Sequence, residues 1–255
     1  MLLAIDIGNT SISLGVYDGD RLKSSLRVAT VVHRLADEYA SLLLHLLEIN
    51  DIAPATIDKV AMCSVVPPLT DAFQELSHRY FKTEPLVVGA GIKTGVKIRM
   101  DNPNEVGADR IVNAAAAFSL HRTACIVVDL GTATTFDTVS ATGEYLGGAI
   151  APGLNTAAEA LSVKTSMLPR IELRRPEKAI GTSTVKAMRS GLFFGYLGLV
   201  EALVGRISAE LPVTPKVIAT GGYAGLLAED TAVFDAVEPD LTLYGLRLVY
   251  YMNRA

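Results

Sequence analysis

The stretch Ala4-Ile5-Asp6-Ile7-Gly8-Asn9-Thr10-Ser11 returns 123 residues later as Val127-Val128-Asp129-Leu130-Gly131-Thr132-Ala133-Thr134. In both copies an apolar strand ends in Asp-apolar-Gly and runs into a Ser/Thr-rich segment. A β-branched or aromatic stretch follows each, and then a turn, Tyr17-Asp18-Gly19-Asp20 in one copy and Ala141-Thr142-Gly143-Glu144 in the other. Third strands over 22–28 and 145–150 complete two antiparallel three-stranded meanders. Self-similarity at nearly half of a 255-residue chain predicts a duplicated α/β fold, with lobes over 1–120 and 121–255 facing each other across a cleft.

Working outward, Leu35, Tyr39, Leu42, Leu43, Leu46 and Leu47 recur at spacings of three and four and mark an amphipathic helix. A strand over 60–66 closes at Pro67-Pro68, and Leu69, Phe73, Leu76 and Tyr80 mark a second helix. Short strands are expected over 85–88 and 95–99. In the second half, helices are expected over 156–167 and 182–210, a strand over 216–219, and a last helix carrying Leu243, Leu246, Val249 and Tyr250. Gly191, Gly195 and Gly198 lie inside the long helix, where each glycine costs about 1 kcal/mol relative to alanine. Two compensations are open: close packing within the lobe, or a helix-on-helix subunit interface.

Composition excludes more than it assigns. With 23 basic against 27 acidic residues the formal net charge is −4, which argues against a dedicated nucleic-acid or anionic-membrane binder. Half the residues are hydrophobic and 20% charged, ample for a buried core and incompatible with disorder. Cys63 and Cys125 have no paired spacing and no nearby histidine, so they read as buried thiols in a reducing compartment. The N-terminus lacks a basic segment and breaks its apolar run at Asp6, unlike a secretory signal. The longest apolar stretch, 191–204, is interrupted by Glu201 and falls short of the roughly 18 residues a membrane span needs. A cytoplasmic protein is expected.

The repeated Asp-x-Gly is a device for handling nucleotide phosphates. Gly8 and Gly131 let the turn approach an anion without a Cβ in the way, and Asn9, Thr10, Ser11, Ser13 and Thr132 can donate to phosphate oxygens. Asp6 and Asp129 cannot bind phosphate themselves and would hold a metal ion or its waters. A single such motif reads better as an ordinary turn; two in equivalent places of a repeated unit reverse that preference. Gly89-Ala90-Gly91-Ile92-Lys93-Thr94 lacks the glycine before lysine that a P-loop requires and reads as a loop. In Asn102-Pro103-Asn104-Glu105-Val106-Gly107-Ala108-Asp109-Arg110, the Asn-Pro-x-Glu spacing predicts a capped helix start, placing Asp109 and Arg110 about two turns inside on different faces. Asp109 could accept a proton and Arg110 bind an anionic group, or the two could be a surface charge pair. Thr182-Ser183-Thr184 is a further helix start with spare hydroxyls. Thr220-Gly221-Gly222 could let a nucleotide lie against backbone or merely make a turn. The four histidines have no ligand spacing.

Asp6-Ile7-Gly8-Asn9-Thr10, Gly107-Ala108-Asp109-Arg110, Asp129-Leu130-Gly131-Thr132-Ala133 and Thr220-Gly221-Gly222, in this order over the full chain, resemble the motifs of type III pantothenate kinases. That family belongs to the acetate and sugar kinase, heat-shock chaperone and actin superfamily, so the resemblance implies two duplicated actin-like, ribonuclease H-like lobes around a nucleotide cleft. It implies ATP-dependent phosphorylation of pantothenate to 4'-phosphopantothenate, the first step towards coenzyme A, by a homodimer needing Mg²⁺ and a monovalent cation, K⁺ or NH4⁺. Carried over, residues 6–13 would wrap the ATP phosphates, with Asp6 oriented to Mg²⁺ through water. Thr132, Gly221 and Gly222 would also serve ATP. Gly107, Ala108, Asp109 and Arg110, together with Thr184, would bind pantothenate, Asp109 accepting the proton of its primary hydroxyl. Asp129 would hold the monovalent cation. Many members place Tyr where this chain has Met100, which removes an aromatic substrate contact. An ATP-gated regulatory or scaffold protein of the same superfamily and a small sugar kinase are the alternatives.

Overall fold

The structure is a computed structural model, and it describes residues 1–254. Its strands are β1 (Leu2–Ile7), β2 (Ser11–Asp18), β3 (Arg21–Ala29), β4 (Lys59–Ser64), β5 (Leu86–Val87), β6 (Lys97–Ile98), β7 (Cys125–Leu130), β8 (Ala133–Val139), β9 (Glu144–Pro152), β10 (Lys216–Thr220) and β11 (Ala236–Val237). Its helices are α1 (Ala36–Ile49), α2 (Pro67–Tyr80), α3 (Ala108–His121), α4 (Leu154–Lys164), α5 (Thr184–Glu210), α6 (Ala224–Ala228) and α7 (Leu241–Arg254). The strands form a five-stranded sheet, β3-β2-β1-β4-β5, and a six-stranded sheet, β11-β10-β7-β8-β9-β6.

The duplication is visible strand by strand. Each half opens with an antiparallel meander, β1-β2-β3 or β7-β8-β9, and adds a parallel strand, β4 or β10, to the other side of its first strand. Both meanders carry a register shift at the matching place, between Val16 and Tyr17 and between Thr138 and Val139. The repeat is not uniform. β1 and β7 correspond at an offset of 123, but the second turn is one residue shorter: Gly8 N–H donates to Ser11 O and Gly131 N–H to Ala133 O, each at 3.1 Å. From β2 onward Ser11 therefore corresponds to Ala133 and Ser13 to Thr135, not Ser11 to Thr134 as the aligned sequences suggest.

Two compact units result. The first gathers Met1–Val96, Asn102–Ala116 and residues 240–254, and the second Lys97–Asp101 and Ala117–Pro239. This spatial division departs from the expected boundary at 120 chiefly at α7, which joins the first unit. Alternation along β1 explains it. Leu3, Ile5 and Ile7 point to one face and pack with Tyr39, Leu43 and Leu47 of α1 and Leu69, Phe73 and Leu76 of α2. Leu2 and Ala4 point to the other, where Leu243, Leu246 and Val249 of α7 and Val112 of α3 cover them. In the second unit, Ile126, Val128, Leu130 and Phe136 pack against Leu154 of α4 and Leu192, Phe193, Tyr196, Leu197 and Val200 of α5.

Two element readings need correction. The helix expected to start at Asn102-Pro103 does not. Pro103–Glu105 form one 3-10 turn, capped where Asn102 Oδ1 accepts Asn104 N–H at 3.3 Å, and α3 begins only at Ala108. Glu105 does not complete a capping box; its carboxylate accepts the Asn102 side-chain amide at 2.8 Å. Asp109 and Arg110 thus lie in the first turn of α3. The packing role for the α5 glycines also fails: a Cβ at Gly191, Gly195 or Gly198 would meet no atom within 4 Å. These glycines lie on an exposed face with Phe194, opposite the buried one. By length and apolarity alone α5 is sufficient to cross a bilayer, contrary to the sequence expectation. Its other face nevertheless belongs to the second unit's core, and Tyr196 Oη donates to the carbonyls of Pro152 and Gly153.

Candidate active site

In the first unit the Asp6 carboxylate ends β1 on the face that carries α3 and α7. Parallel pairing sets it beside Cys63 of β4, and antiparallel pairing beside Ser13 of β2. The Cys63 thiol donates to Asp6 Oδ1 at 3.4 Å. Burial first, and then the negative charge of Asp109, raise the Asp6 pKa to about 6, against smaller lowering effects from Cys63 and Arg27. Burial and the same two carboxylates push the Cys63 thiol up, so it stays a donor.

The turn after Asp6 is tightly held. Gly8 N–H donates to Ser11 O, and a Cβ on Gly8 would come to 3.0 Å of that same oxygen. Thr30, just past β3, donates its hydroxyl to Gly8 O at 2.6 Å and its N–H to Thr10 O at 3.1 Å. Asn9 and Thr10 are exposed at the tip; Ser11 and Ser13 are half-buried. On α3, a Cβ at Gly107 would lie 2.5 Å from Asp109 Oδ1, so only glycine lets that carboxylate fold back over the helix start. Asp109 Oδ1 also accepts the Arg110 N–H at 2.9 Å, and Ala108 packs beneath against the α7 side of the sheet. The fold thus brings Asp6 and Asp109 close enough for their charges to interact, although they lie 103 residues apart in sequence.

In the second unit Asp129 takes the place of Asp6, flanked by Thr135 of β8 and Thr220 of β10. Glycines crowd it. A Cβ on Gly131 would come to 3.3 Å of Asp129 Oδ1, and one on Gly221 to 2.5 Å of the same oxygen and 2.7 Å of the Leu130 backbone. Gly221 also has φ +89°, so it is glycine on two counts. The Thr132 carbonyl accepts Gly153 N–H at 3.0 Å and the Thr156 hydroxyl at 2.7 Å, leaving the Thr132 side chain exposed. Gly222 is exposed beside Gly221. Thr184 is the exposed first residue of α5, one past Ser183, whose hydroxyl caps the helix by accepting Lys186 N–H at 3.3 Å.

The sequence marked Cys63 only as a buried thiol and Thr156 only as a helix start, left Thr30 unread, and gave none of the three a place in the site. Cys63 could have been found from strand register, because a parallel strand beside β1 must place some side chain against Asp6. Met100, in the second unit, lies against Gly147, whose added Cβ would meet the Met100 sulfur at 2.9 Å.

The sequence model of one family, described as type III pantothenate kinase, matches residues 2–206. A type III pantothenate kinase of Dehalococcoides mccartyi is 62% identical over 253 residues, covering 99% of this chain and 96% of its own. Another, of Roseiflexus castenholzii, is 53% identical with both chains fully covered. Among solved structures, an ethanolamine utilization protein of Carboxydothermus hydrogenoformans shares the fold at a TM-score of 0.58 and 16% identity, covering 97% of this chain and 89% of its own. The (R)-2-hydroxyglutaryl-CoA dehydratase component A of Acidaminococcus fermentans does so at 0.55 and 14%, covering 99% and 96%. At such identities these two speak to the fold alone, an α/β architecture of two related lobes.

Proposed function

We propose residue roles from one premise: the chain belongs to the type III pantothenate kinase family and phosphorylates pantothenate with ATP, the first step towards coenzyme A. The regulatory-scaffold and sugar-kinase alternatives end with that membership.

Asp109 is the proton acceptor. Its carboxylate takes the proton of the pantothenate primary hydroxyl as that oxygen bonds to the γ-phosphorus and the bond from phosphorus to the β–γ bridging oxygen breaks, releasing ADP. The transition state of such transfers is loose, so positioning and charge neutralisation supply most of the acceleration. The observation that carries this assignment is the Asp109 carboxylate folded over Gly107 and interacting with Asp6. Arg110, with Gly107 and Ala108, binds pantothenate, and Thr184 contributes a hydroxyl.

Asn9, Thr10, Ser11 and Ser13 donate to ATP phosphates around the Gly8 turn, Thr132 contacts ATP from its own turn, and Gly221 with Gly222 offers bare backbone to the nucleotide. Asp6 fits a water-mediated Mg²⁺ site: it is a hard oxygen donor whose raised pKa reports a buried negative charge short of positive partners. Asp6 would hold a Mg²⁺ ion through water, and an ion so held would supply neutralisation of phosphate charge. Asp129, likewise a hard oxygen donor, fits the monovalent cation, K⁺ or NH4⁺. The uncovered glycine face of α5 supports a homodimer, and the low charge and family chemistry a cytoplasmic setting.

Asp109→Asn tests the central role. We expect kcat to fall by about 10²-fold or more with ATP affinity little changed, as for loss of a general base. Turnover near that of the unmodified enzyme removes Asp109 from the mechanism. Asp129→Ala should abolish activation by K⁺; a titration that still shows activation places the cation elsewhere.

A further inference from the structure

We propose that Thr30 and Thr156 are positioning residues for ATP, each locking the phosphate-binding turn of its own unit through a hydroxyl bond to a turn carbonyl. The inference rests on the assignment of those turns to ATP. In the first unit the turn Gly8-Asn9-Thr10 is held by the Thr30 N–H on Thr10 O and the Thr30 hydroxyl on Gly8 O. In the second unit the turn Gly131-Thr132 is held by the Gly153 N–H and the Thr156 hydroxyl, both on Thr132 O. Residues 30 and 153 correspond in the repeat, since each directly follows the third strand of its meander. The backbone half of the brace is therefore inherited by both copies.

The hydroxyl half is not. It comes from residue 30 itself in one unit and, because the corresponding residue is Gly153, from three residues further on in the other. Gly153 cannot carry a side chain: its Cβ would run into the carbonyl oxygens of Gly131 and Thr132. Two non-equivalent threonines each supply a hydroxyl to a carbonyl of the equivalent turns, Gly8 O in one and Thr132 O in the other, which points to a requirement of the turns rather than a relic of duplication.

Peptide geometry says what the requirement is. A planar trans peptide points its N–H opposite to its C=O, and no peptide bond among the described residues is cis. Fixing Gly8 C=O towards Thr30 directs the Asn9 N–H away from Thr30, as a phosphate-binding turn needs. Fixing Thr132 C=O towards Gly153 and Thr156 sets the orientation from which the Thr132 hydroxyl projects. Threonine suits the task because its branched Cβ restricts χ1.

The test is calorimetric titration of ATP into the full chain without pantothenate, since the protein has no tryptophan to report binding. Thr30→Val and Thr156→Val should each raise the Kd for ATP about five- to tenfold, the value of one lost hydrogen bond. Thr30→Ser and Thr156→Ser should return it to within about twofold, and the KM for pantothenate should hold in all four. The proposal is overturned if the valine variants bind ATP like the parent, if serine does not restore binding, or if pantothenate KM rises in step. Thr10→Val and Thr132→Val separate the two levels. If these also bind ATP normally, the turns are not the nucleotide site; if they bind poorly while Thr30→Val and Thr156→Val bind normally, only the brace is wrong.

Discussion

Asp6 shows how much one side chain can cost a fold for the sake of chemistry. Its carboxylate lies at the end of a buried strand, receives one weak donor from Cys63, and feels the like charge of Asp109. The folded-state pKa of about 6 lies above the ordinary value of 3.8, so between those values the native chain binds more protons than the unfolded one. Stability from this group therefore falls as pH rises from about 4 to about 6, and the full penalty persists above that. At about 1.36 kcal/mol per unit the cost at neutral pH is up to about 3 kcal/mol. Asp6→Asn should accordingly melt higher than the parent at pH 7.5 without ligands while losing activity, and the gain should shrink towards pH 4. A pair of thermal scans at the two pH values decides it; an Asn variant that melts lower at pH 7.5 contradicts the assignment. The positions of Asp6, Gly8 and Asp129 at strand ends were legible in the sequence because an Asp-x-Gly closing an apolar run can do little else. Cys63 was not, because its role depends on which strand pairs with β1.

Among the elements, α5 and α3 depart most from their sequence readings, for different reasons. A capped Asn-Pro-x-Glu start promised an early α3, but Val106 is extended at φ −79° and ψ 122°, and the helix begins at Ala108 with Gly107 O accepting the Ile111 N–H. That start lets Asp109 fold over a residue with no side chain. For α5 the period of apolar residues located the helix correctly but could not say which faces are covered. Leu192, Phe193, Tyr196, Leu197 and Val200 are buried, whereas Gly191, Phe194, Gly195 and Gly198 are exposed. On the homodimer reading a second copy covers that stripe. Gly195→Glu should then convert a dimer into a monomer, read by light scattering or sedimentation. Its melting temperature should stay close to that of other monomeric variants, since the new side chain meets nothing within its own chain. An unchanged mass rules this face out as the interface.

For the molecule as a whole, the repeat made the two antiparallel meanders legible, while the parallel pairing that joins β4 and β10 to them and the one-residue difference between the turns were hidden. The hydroxyl of Thr134 draws the sequence alignment to Ser11, whereas the hydrogen bonds pair Ser11 with Ala133. The destination of α7 was hidden too, because an amphipathic helix at the end of a chain does not announce which sheet it will cover. Leu241, Leu243, Leu246 and Val249 are all buried. At about 1.5–3 kcal/mol each, their loss is comparable to the entire stability of a domain. Truncation after Pro239 should therefore unfold the first unit selectively. Hydrogen exchange should show protection lost across β1, β2 and β4 and retained in β7, β8 and β10; uniform protection, or uniform loss, contradicts the division.

The return of α7 to the first unit also sets a timetable on the ribosome. The opening sheet is synthesised first, yet one of its apolar faces has no complete cover until residues 241–254 emerge. The second unit, complete at Pro239, can close earlier, reversing the usual N-terminal-first order. At elongation rates of about 5–20 residues per second, residues 240–254 take about one to three seconds to add, and through that interval the N-terminal sheet still lacks the α7 part of its cover. Asp6 and Asp109 both belong to the unfinished half, so the newborn enzyme acquires its chemistry only with its last helix.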